Sequence, residues 1–107
     1  MRIQVSAIHF SLGDSFRTHA EERLAGAVSK YTERAVDASV TFVKDGQEYQ
    51  ADASAHLGSG LLVQAQGRGG DVRASLEQAL ERLEKQLRRH KRRIKDHHSN
   101  TRSHRSA

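Results

Sequence analysis

The sequence predicts an α+β domain with the element order β-α-β-β-β-α, in which a four-stranded sheet carries two helices on one face. Three observations predict this fold. Two stretches have apolar residues at spacings of three and four, three consecutive stretches alternate apolar and polar residues, and glycine-rich turns separate those strands. A chain of 107 residues has the size of one domain. We expect this domain to occupy residues 1–96.

The first strand and the first helix follow from two different periodicities. Ile3, Val5 and Ala7 alternate with polar residues, as in a short strand with one buried face. Residues 12–15 offer N-cap candidates for a helix that we expect to end near Thr32. The apolar face of this helix consists of Phe16, Ala20, Leu24, Ala27, Val28 and Tyr31.

The middle of the chain predicts three strands that form an antiparallel meander. Asp45-Gly46 indicates a tight hairpin turn in which both residues have positive φ. Gly58-Ser59-Gly60 predicts a second turn, which leads into a strand beginning at Leu61. The core-facing residues of the first strand of the meander are Val36, Ala38, Val40 and Phe42, and those of the second are Tyr49, Ala51, Ala53, Ala55 and Leu57.

A second helix follows, and Asp71 is its expected N-cap. The helix should be long, roughly twenty-five residues or about 37 Å at 1.5 Å per residue. Its apolar residues fall within a narrow arc of the helical wheel and are Leu76, Leu80, Leu83, Leu87 and Ile94. Residues 97–107 contain no large apolar side chain, so we expect a disordered basic tail that contains histidine.

The charges of the chain are concentrated at one end. Up to Glu84 there are 9 Lys and Arg against 12 Asp and Glu, whereas from Lys85 onward 9 Lys and Arg face Asp96 alone. A basic end on a nearly neutral body predicts a polyanionic partner, of which nucleic acid is the commonest. The cations on the side of the second helix opposite its apolar arc are Arg82, Lys85, Arg88, Arg89, Arg92, Arg93 and Lys95, while Lys91 lies nearer the apolar edge.

A merely solvated helix face would explain two or three of these cations, because positive charge suits a helix C-terminus. It does not explain seven, since like charges four residues apart, such as Arg88 and Arg92, repel and cost a few tenths of a kcal/mol each. The first half of the helix places Glu77, Glu81 and Glu84 near basic residues, and the second half does not. We therefore favour phosphate binding, by shape and backbone recognition of folded RNA.

Nothing in the sequence indicates an enzyme, a cofactor or a dedicated metal site. The chain has no cysteine, and its seven histidines are scattered or lie in the tail, where only adventitious metal binding is expected. Residues 67–71 precede a helix, as a phosphate-cradling loop does, but lack the Gly-Lys-Ser/Thr ending. We interpret them as a tight strand-to-helix turn, with Arg68 and Arg73 as additional candidates for RNA contact. Without a signal peptide or a long apolar stretch, we expect a cytoplasmic protein with no membrane partner and no small-molecule substrate.

Three segments resemble a known family. They are the run Leu83-Glu84-Lys85-Gln86-Leu87-Arg88-Arg89-His90-Lys91, the first-helix pattern from Phe16 to Tyr31, and the hairpin strand from Tyr49 to His56. Over roughly residues 1–96 the chain resembles the bacterial ribosome hibernation promoting factors, also called ribosome-associated inhibitors or sigma-factor modulation proteins. Arg73 is a departure, since the family usually has an aromatic residue there. Many members also carry a C-terminal dimerisation domain, which these 107 residues do not include.

The resemblance implies a domain similar to double-stranded RNA-binding domains. It also implies binding to the small ribosomal subunit where messenger and transfer RNA bind, which silences translation in starvation or stationary phase. The family's RNA-contacting residues fall here on Lys85, Arg88, Arg89, Lys91, Arg92 and Lys95. Together with the charge pattern, the expected rRNA-binding set is Arg82, Lys85, Arg88, Arg89, Lys91, Arg92, Arg93 and Lys95, with Arg68 and Arg73 as further candidates.

We expect the partner to be the rRNA of the small subunit, together with ribosomal proteins, and the free protein to be a monomer. One alternative is a stand-alone module that binds structured RNA without specificity for ribosomes. Another is an interaction protein whose basic helix docks on an acidic partner or an anionic membrane, but large apolar anchors are absent from the outer face of that helix.

Overall fold

The computed structural model describes the backbone of residues 1–106 and the side chains of residues 1–90. Its elements occur in the predicted order β-α-β-β-β-α, and the predicted fold is confirmed. They are β1 (Arg2–Ile8), α1 (Asp14–Ser29), β2 (Ala35–Asp45), β3 (Glu48–Leu57), β4 (Leu62–Gly69) and α2 (Val72–Ser106).

The four strands form one mixed sheet in the order β1-β2-β3-β4. The last three strands make the predicted antiparallel meander, with Val40 opposite Ala53 and Ala53 opposite Ala65. Strand β1 pairs parallel to β2, because α1 carries the chain back across the sheet before β2 begins. Helix α1 packs over β1 and β2, and α2 packs over β3 and β4.

The core lies between the sheet and the two helices. Five of the ten buried apolar residues on the strands are alanines, so the leucines of the helices can lie close to the sheet. Phe42 is the largest fully buried side chain, and it meets Phe16 edge to face with 5.6 Å between ring centroids. The helices contribute the buried residues Ala20, Leu24, Ala27, Val28, Leu76, Ala79, Leu80, Leu83 and Leu87. Each leucine contributes about 1.5–3 kcal/mol by leaving water.

Val36 is a correction to the predicted core. The pairing of β2 with β3 shifts register between Ala35 and Asp37, which makes Val36 the extra residue of a β-bulge. Ala35 therefore packs against the core, and Val36 is 52 % exposed. Strict alternation fails here because one inserted residue reverses the direction of the side chains that precede it.

The predicted β2–β3 turn also needs correction. The β2–β3 turn consists of Gly46 and Gln47, and among the described residues of this turn only Gly46 has positive φ, at 66°. Asp45 instead pairs with Glu48 as the last residue of its strand. At the start of α1 the N-cap is Gly13, one of the candidates within residues 12–15, and it makes no side-chain capping bond.

The N-cap of α2 is the predicted one. The Oδ1 atom of Asp71 accepts a hydrogen bond of 2.7 Å from the backbone N–H of Ala74. The helix has 35 residues, more than the roughly twenty-five predicted, because its backbone continues past Ile94. The predicted tail over residues 97–107 and the side chain of Ile94 lie outside the described side chains, so statements about them stay predictions.

The glycines before α2 are placed by a close helix–strand contact. Gly67 and Gly69 belong to β4, where the first turns of α2 cross the strand. A Cβ atom on Gly67 would lie 2.3 Å from the backbone nitrogen of Ala79, and one on Gly69 would lie 2.5 Å from the Cβ of Ala74. No larger residue fits there without separating helix and strand. This contact accounts for both glycines as packing residues. The predicted strand-to-helix turn is shorter than residues 67–71, because β4 continues to Gly69 and only Gly70 and Asp71 separate it from α2.

Candidate nucleic-acid interface

Helix α2 is fixed to α1 by ion pairs on one flank. The guanidinium of Arg23 donates four hydrogen bonds of 2.6–3.1 Å to the two carboxylate oxygens of Glu77. These bonds raise the pKa of Arg23 above its usual value. Seven residues further along, the Nζ of Lys30, which directly follows α1, lies 3.5 Å from Glu84 of α2. The acidic residues of α2 therefore hold the helix against the body of the domain.

The other flank of α2 covers the outer edge of β4. Arg82 donates a 2.9 Å hydrogen bond from Nη1 to the carbonyl of Gln66, and Gln86 donates to the carbonyl of Gln64. Gln78 accepts a 2.7 Å bond from the backbone N–H of Arg68. These helix residues recur every four positions and satisfy backbone groups that an edge strand leaves unpaired. Arg82, a predicted RNA-binding residue, thus also has a structural partner.

Lys85 lies on the outer side of α2, and Arg88 lies on the side that faces α1. Lys85 is 60 % exposed in its side chain and lies 4.0 Å from Glu81. Arg88 is exposed, and its Nη2 donates a 3.2 Å hydrogen bond to the hydroxyl of Tyr31. That bond raises the pKa of Arg88 above its usual value. Its guanidinium carbon lies 5.8 Å from the centroid of the same ring.

Arg89 lies about 100° around α2 from Arg88, toward the flank that covers β4. It lines a groove of about 320 Å³ together with Leu61, Leu62 and Gln86. Among the described side chains, no carboxylate comes within 4 Å of Arg88 or Arg89. Arg88 and Arg89 therefore form a cationic surface without an ion pair among the described side chains, whereas Lys85 at its border lies beside Glu81.

Two further candidates lie away from this surface. Arg68 projects from the edge of β4, 3.4 Å from Asp45 and 3.4 Å from Glu48. Arg73 is exposed in the first turn of α2, about 18 Å along the helix from Lys85 at 1.5 Å per residue. The remaining candidates Lys91, Arg92, Arg93 and Lys95 lie outside the described side chains.

Sequence reasoning missed the residues beside the α1-facing flank. Tyr31 and Arg34 line a cleft of about 380 Å³ with Leu57, Leu87 and His90. The sequence assigns Tyr31 only to the apolar face of α1, since a helical periodicity does not reveal contacts with a second helix. The signal available was the pair Lys30-Tyr31 in the family-like segment, where a cation and an aromatic residue directly follow the helix.

The part of the chain with described side chains holds no cluster of three or more His, Cys, Asp or Glu side chains suited to a metal ion. None of its helices combines the length and apolar character that crossing a bilayer requires.

The architecture defines the class: a β-α-β-β-β-α domain whose last helix presents a basic outer surface. The family model described as Sigma 54 modulation protein / S30EA ribosomal protein matches residues 3–95. The chain belongs to this family, which confirms the resemblance drawn from the sequence.

Two curated relatives are both named ribosome hibernation promotion factor. The protein of Rhizobium meliloti (strain 1021) is 40 % identical over 85 residues, which cover 79 % of this chain and 45 % of the relative. That of Bradyrhizobium diazoefficiens is 32 % identical over 85 residues, with 79 % and 42 % covered. The matched region thus spans less than half the length of these relatives.

Solved structures share the fold. The N-terminal domain of Thermus thermophilus Protein Y superposes with a TM-score of 0.73 at 27 % identity, and the match covers 83 % of this chain and 98 % of that one. A ribosomal subunit interface protein from Coxiella burnetii gives a TM-score of 0.71 at 19 % identity, with 85 % and 98 % covered. At that lower identity the likeness supports the fold alone.

Proposed function

We propose that the chain binds the small ribosomal subunit through the basic surface of α2 and acts as a ribosome hibernation factor. The observation that carries the proposal is the cationic surface around Arg88 and Arg89, which no described carboxylate approaches within 4 Å. It continues in sequence through Lys91, Arg92, Arg93 and Lys95. The family membership and the names of the two relatives support the ribosome as the partner.

The proposed mechanism is occlusion. The domain docks in the RNA-walled channel of the subunit, α2 neutralises phosphates, and the body excludes messenger and transfer RNA. Arginine predominates on the surface, and its guanidinium can bind a phosphate through two parallel hydrogen bonds. The proposed contact set is Arg82, Lys85, Arg88, Arg89, Lys91, Arg92, Arg93 and Lys95, with Arg73 at its margin.

Arg68 is the weakest member of the proposed set, because Asp45 and Glu48 already lie beside it. The role requires no reaction, so we propose a cytoplasmic, non-enzymatic factor that is monomeric when free. Inhibition then comes from the volume of the docked domain and from the number of phosphates that it neutralises.

A double charge reversal tests the proposal. Arg88→Glu with Arg89→Glu should weaken binding to purified small subunits at least about 100-fold, because two charge-assisted hydrogen bonds of about 1.5–3 kcal/mol each are lost. The dependence of affinity on salt concentration should also become shallower. Affinity is measured by co-sedimentation, and inhibition by translation of a reporter messenger in vitro.

The matched control is Arg2→Glu with Lys44→Glu, which changes the net charge equally at two positions outside α2. It should bind nearly as well as the unaltered chain. Equal losses in the two variants would mean that only net charge matters, and unchanged binding by a folded Arg88/Arg89 variant would refute the proposed surface. If naked duplex RNA binds as tightly as intact subunits do, the chain is a general module for structured RNA.

A further inference from the structure

A cleft beside the basic surface has the features of a site for a single nucleobase. It lies between the loop that follows α1, the β3–β4 turn and the middle of α2, and its volume is about 380 Å³. That volume is at the small end of the range for ligand pockets. Leu57 and Leu87 form its apolar floor and are 4 % and 2 % exposed, while the half-buried ring of Tyr31 forms one wall.

Arg34 lines the cleft, and two further cations lie beside the Tyr31 ring, of which Lys30 is also 3.5 Å from Glu84. The Nζ of Lys30 lies 5.6 Å from the centroid of the Tyr31 ring, and the guanidinium carbon of Arg88 lies 5.8 Å from it. Arg34 is exposed and lines the cleft from the loop after α1. No carboxylate is among the described residues that line it. An apolar slot bordered by cations is complementary to a base that is attached to its own phosphate.

The walls of the cleft are held by backbone bonds. The N–H of Gly58 donates a 2.6 Å bond to the carbonyl of Arg34, which joins the β3–β4 turn to the loop after α1. A Cβ atom on Gly58 would lie 3.1 Å from that same carbonyl oxygen, so glycine suits this joint. Polar groups for the edge of a base are present in Thr32, Ser59 and His90. The cleft therefore needs little rearrangement before a ligand enters, which favours affinity.

We propose that this cleft receives one unstacked nucleobase of the RNA whose phosphates α2 binds. The base lies against the Tyr31 ring, and Arg34 and Arg88 hold the phosphates on either side. Unpaired bases packed on aromatic side chains are a common means by which proteins recognise folded RNA. The inference rests on the proposed function, since it names the group that enters the domain beside the phosphate-binding surface.

The first test compares RNA with and without bases. The probes are hexameric oligoadenylate and a hexamer of abasic ribose phosphates with the same charge, each titrated into the ¹⁵N-labelled protein and followed by NMR. We expect both probes to shift amides along α2 and only oligoadenylate to shift those of Thr32, Gly58 and Ser59. Identical shifts at the cleft with both probes would overturn the proposal.

Substitution of Tyr31 gives an independent readout. Tyr31→Ala should weaken oligoadenylate binding about tenfold and leave binding of the abasic hexamer unchanged, since stacking of one base is lost. Tyr31→Phe should restore base-dependent binding, because the ring remains. Equal loss for both probes in a folded Tyr31→Ala variant would overturn the proposal, since it would mean that Tyr31 only positions Arg88.

A third test identifies the occupant on the ribosome itself. The chain has no cysteine, so Ser59→Cys creates a single attachment point for an aryl azide at the rim of the cleft. The control is Gln47→Cys in the β2–β3 turn, at the other end of the ten-residue strand β3 and about 33 Å away. Light should cross-link the label at position 59 to rRNA more efficiently than the label at position 47.

Cross-links from position 59 to a ribosomal protein alone would overturn the nucleobase proposal and assign the cleft to a protein side chain. The proposed function would survive that result if the Arg88/Arg89 charge reversal still abolished binding. If neither the unaltered chain nor the labelled variant bound ribosomes, the proposed function itself would be contradicted. The two failures are therefore distinguishable.

Discussion

The two halves of α2 use their charged side chains differently. In residues 72–84, Glu77 binds Arg23 of α1 and Glu84 binds Lys30, which directly follows α1. Arg82 of the same half binds the backbone of β4. In residues 85–90, the described hydrogen-bond partner of Arg88 is the neutral hydroxyl of Tyr31. Arg89 has no described carboxylate within 4 Å. Charged residues of the first half hold the domain together, while Arg88 and Arg89 have no described ion pair and remain open to a partner.

The partners of the glutamates explain why the charges in the first half of α2 are paired and those of Arg88 and Arg89 in the second half are not. The sequence suggested that Glu77, Glu81 and Glu84 lie near basic residues of their own helix, but of the three only Glu81 has its described partner on α2, at Lys85. The other two reach Arg23 and Lys30. Because α1 ends at Ser29, there is no further turn of that helix to pair with α2 beyond Leu87.

The largest expected effect comes from breaking the attachment of the first half. Gly67→Ala should lower the free energy of unfolding by about 3 kcal/mol or more, because its Cβ would lie 2.3 Å from the backbone nitrogen of Ala79. For a domain of this size the Tm should fall by more than about 10 °C. Thermal and urea unfolding followed by circular dichroism measure both quantities.

Gly70→Ala is the matched control, since a Cβ there meets nothing within 4 Å and the residue has no positive φ. Its stability should change by less than about 0.5 kcal/mol. If the two variants were equally stable, α2 would not rest on β4 as described, and the separation of α2 into an attached half and an open half would fail.

Arg82 stands at the border between the two halves and should show a smaller, mixed effect. Arg82→Ala removes the hydrogen bond to the Gln66 carbonyl and should cost about 1 kcal/mol of stability. Lys85→Ala, the control one turn further on, should cost less than about 0.5 kcal/mol. Binding to small subunits should fall less in Arg82→Ala than in Arg89→Ala. The reverse order would place Arg82 among the principal phosphate contacts rather than the structural residues.

The periodicity of the sequence predicted the features that depend on a single strand or a single helix. The alternation in β3 gave the buried Ala51, Ala53, Ala55 and Leu57, and the described leucines of α2 lie where the helical wheel places them. The exposure of Val36 was not predicted, because a β-bulge depends on the pairing of two strands rather than on the sequence of one strand. The cleft beside Tyr31 was not predicted either, because it too depends on contacts between separate elements.

That cleft combines three distant segments of the chain. Its walls come from residues 31–34, residues 57–59 and two positions on α2. Nothing in the order of amino acids indicates that these segments meet, since the contact between Gly58 and Arg34 is fixed by tertiary packing. The basic surface was predictable because its cations lie within one helix, where spacing alone decides which side they share.

The smallest expected effect concerns the one described ion pair that lies within α2. Glu81 and Lys85 are 4.0 Å apart, and their side chains are 70 % and 60 % exposed, so Glu81→Gln should cost only about 0.3–0.5 kcal/mol. The same change removes a negative charge next to the cationic surface and should tighten binding to small subunits about twofold at low salt. The gain should vanish at high ionic strength, where charges this exposed are screened. Weaker binding at low salt would mean that Glu81 itself contacts the partner, which would extend the binding surface into the half of the helix that otherwise serves the fold.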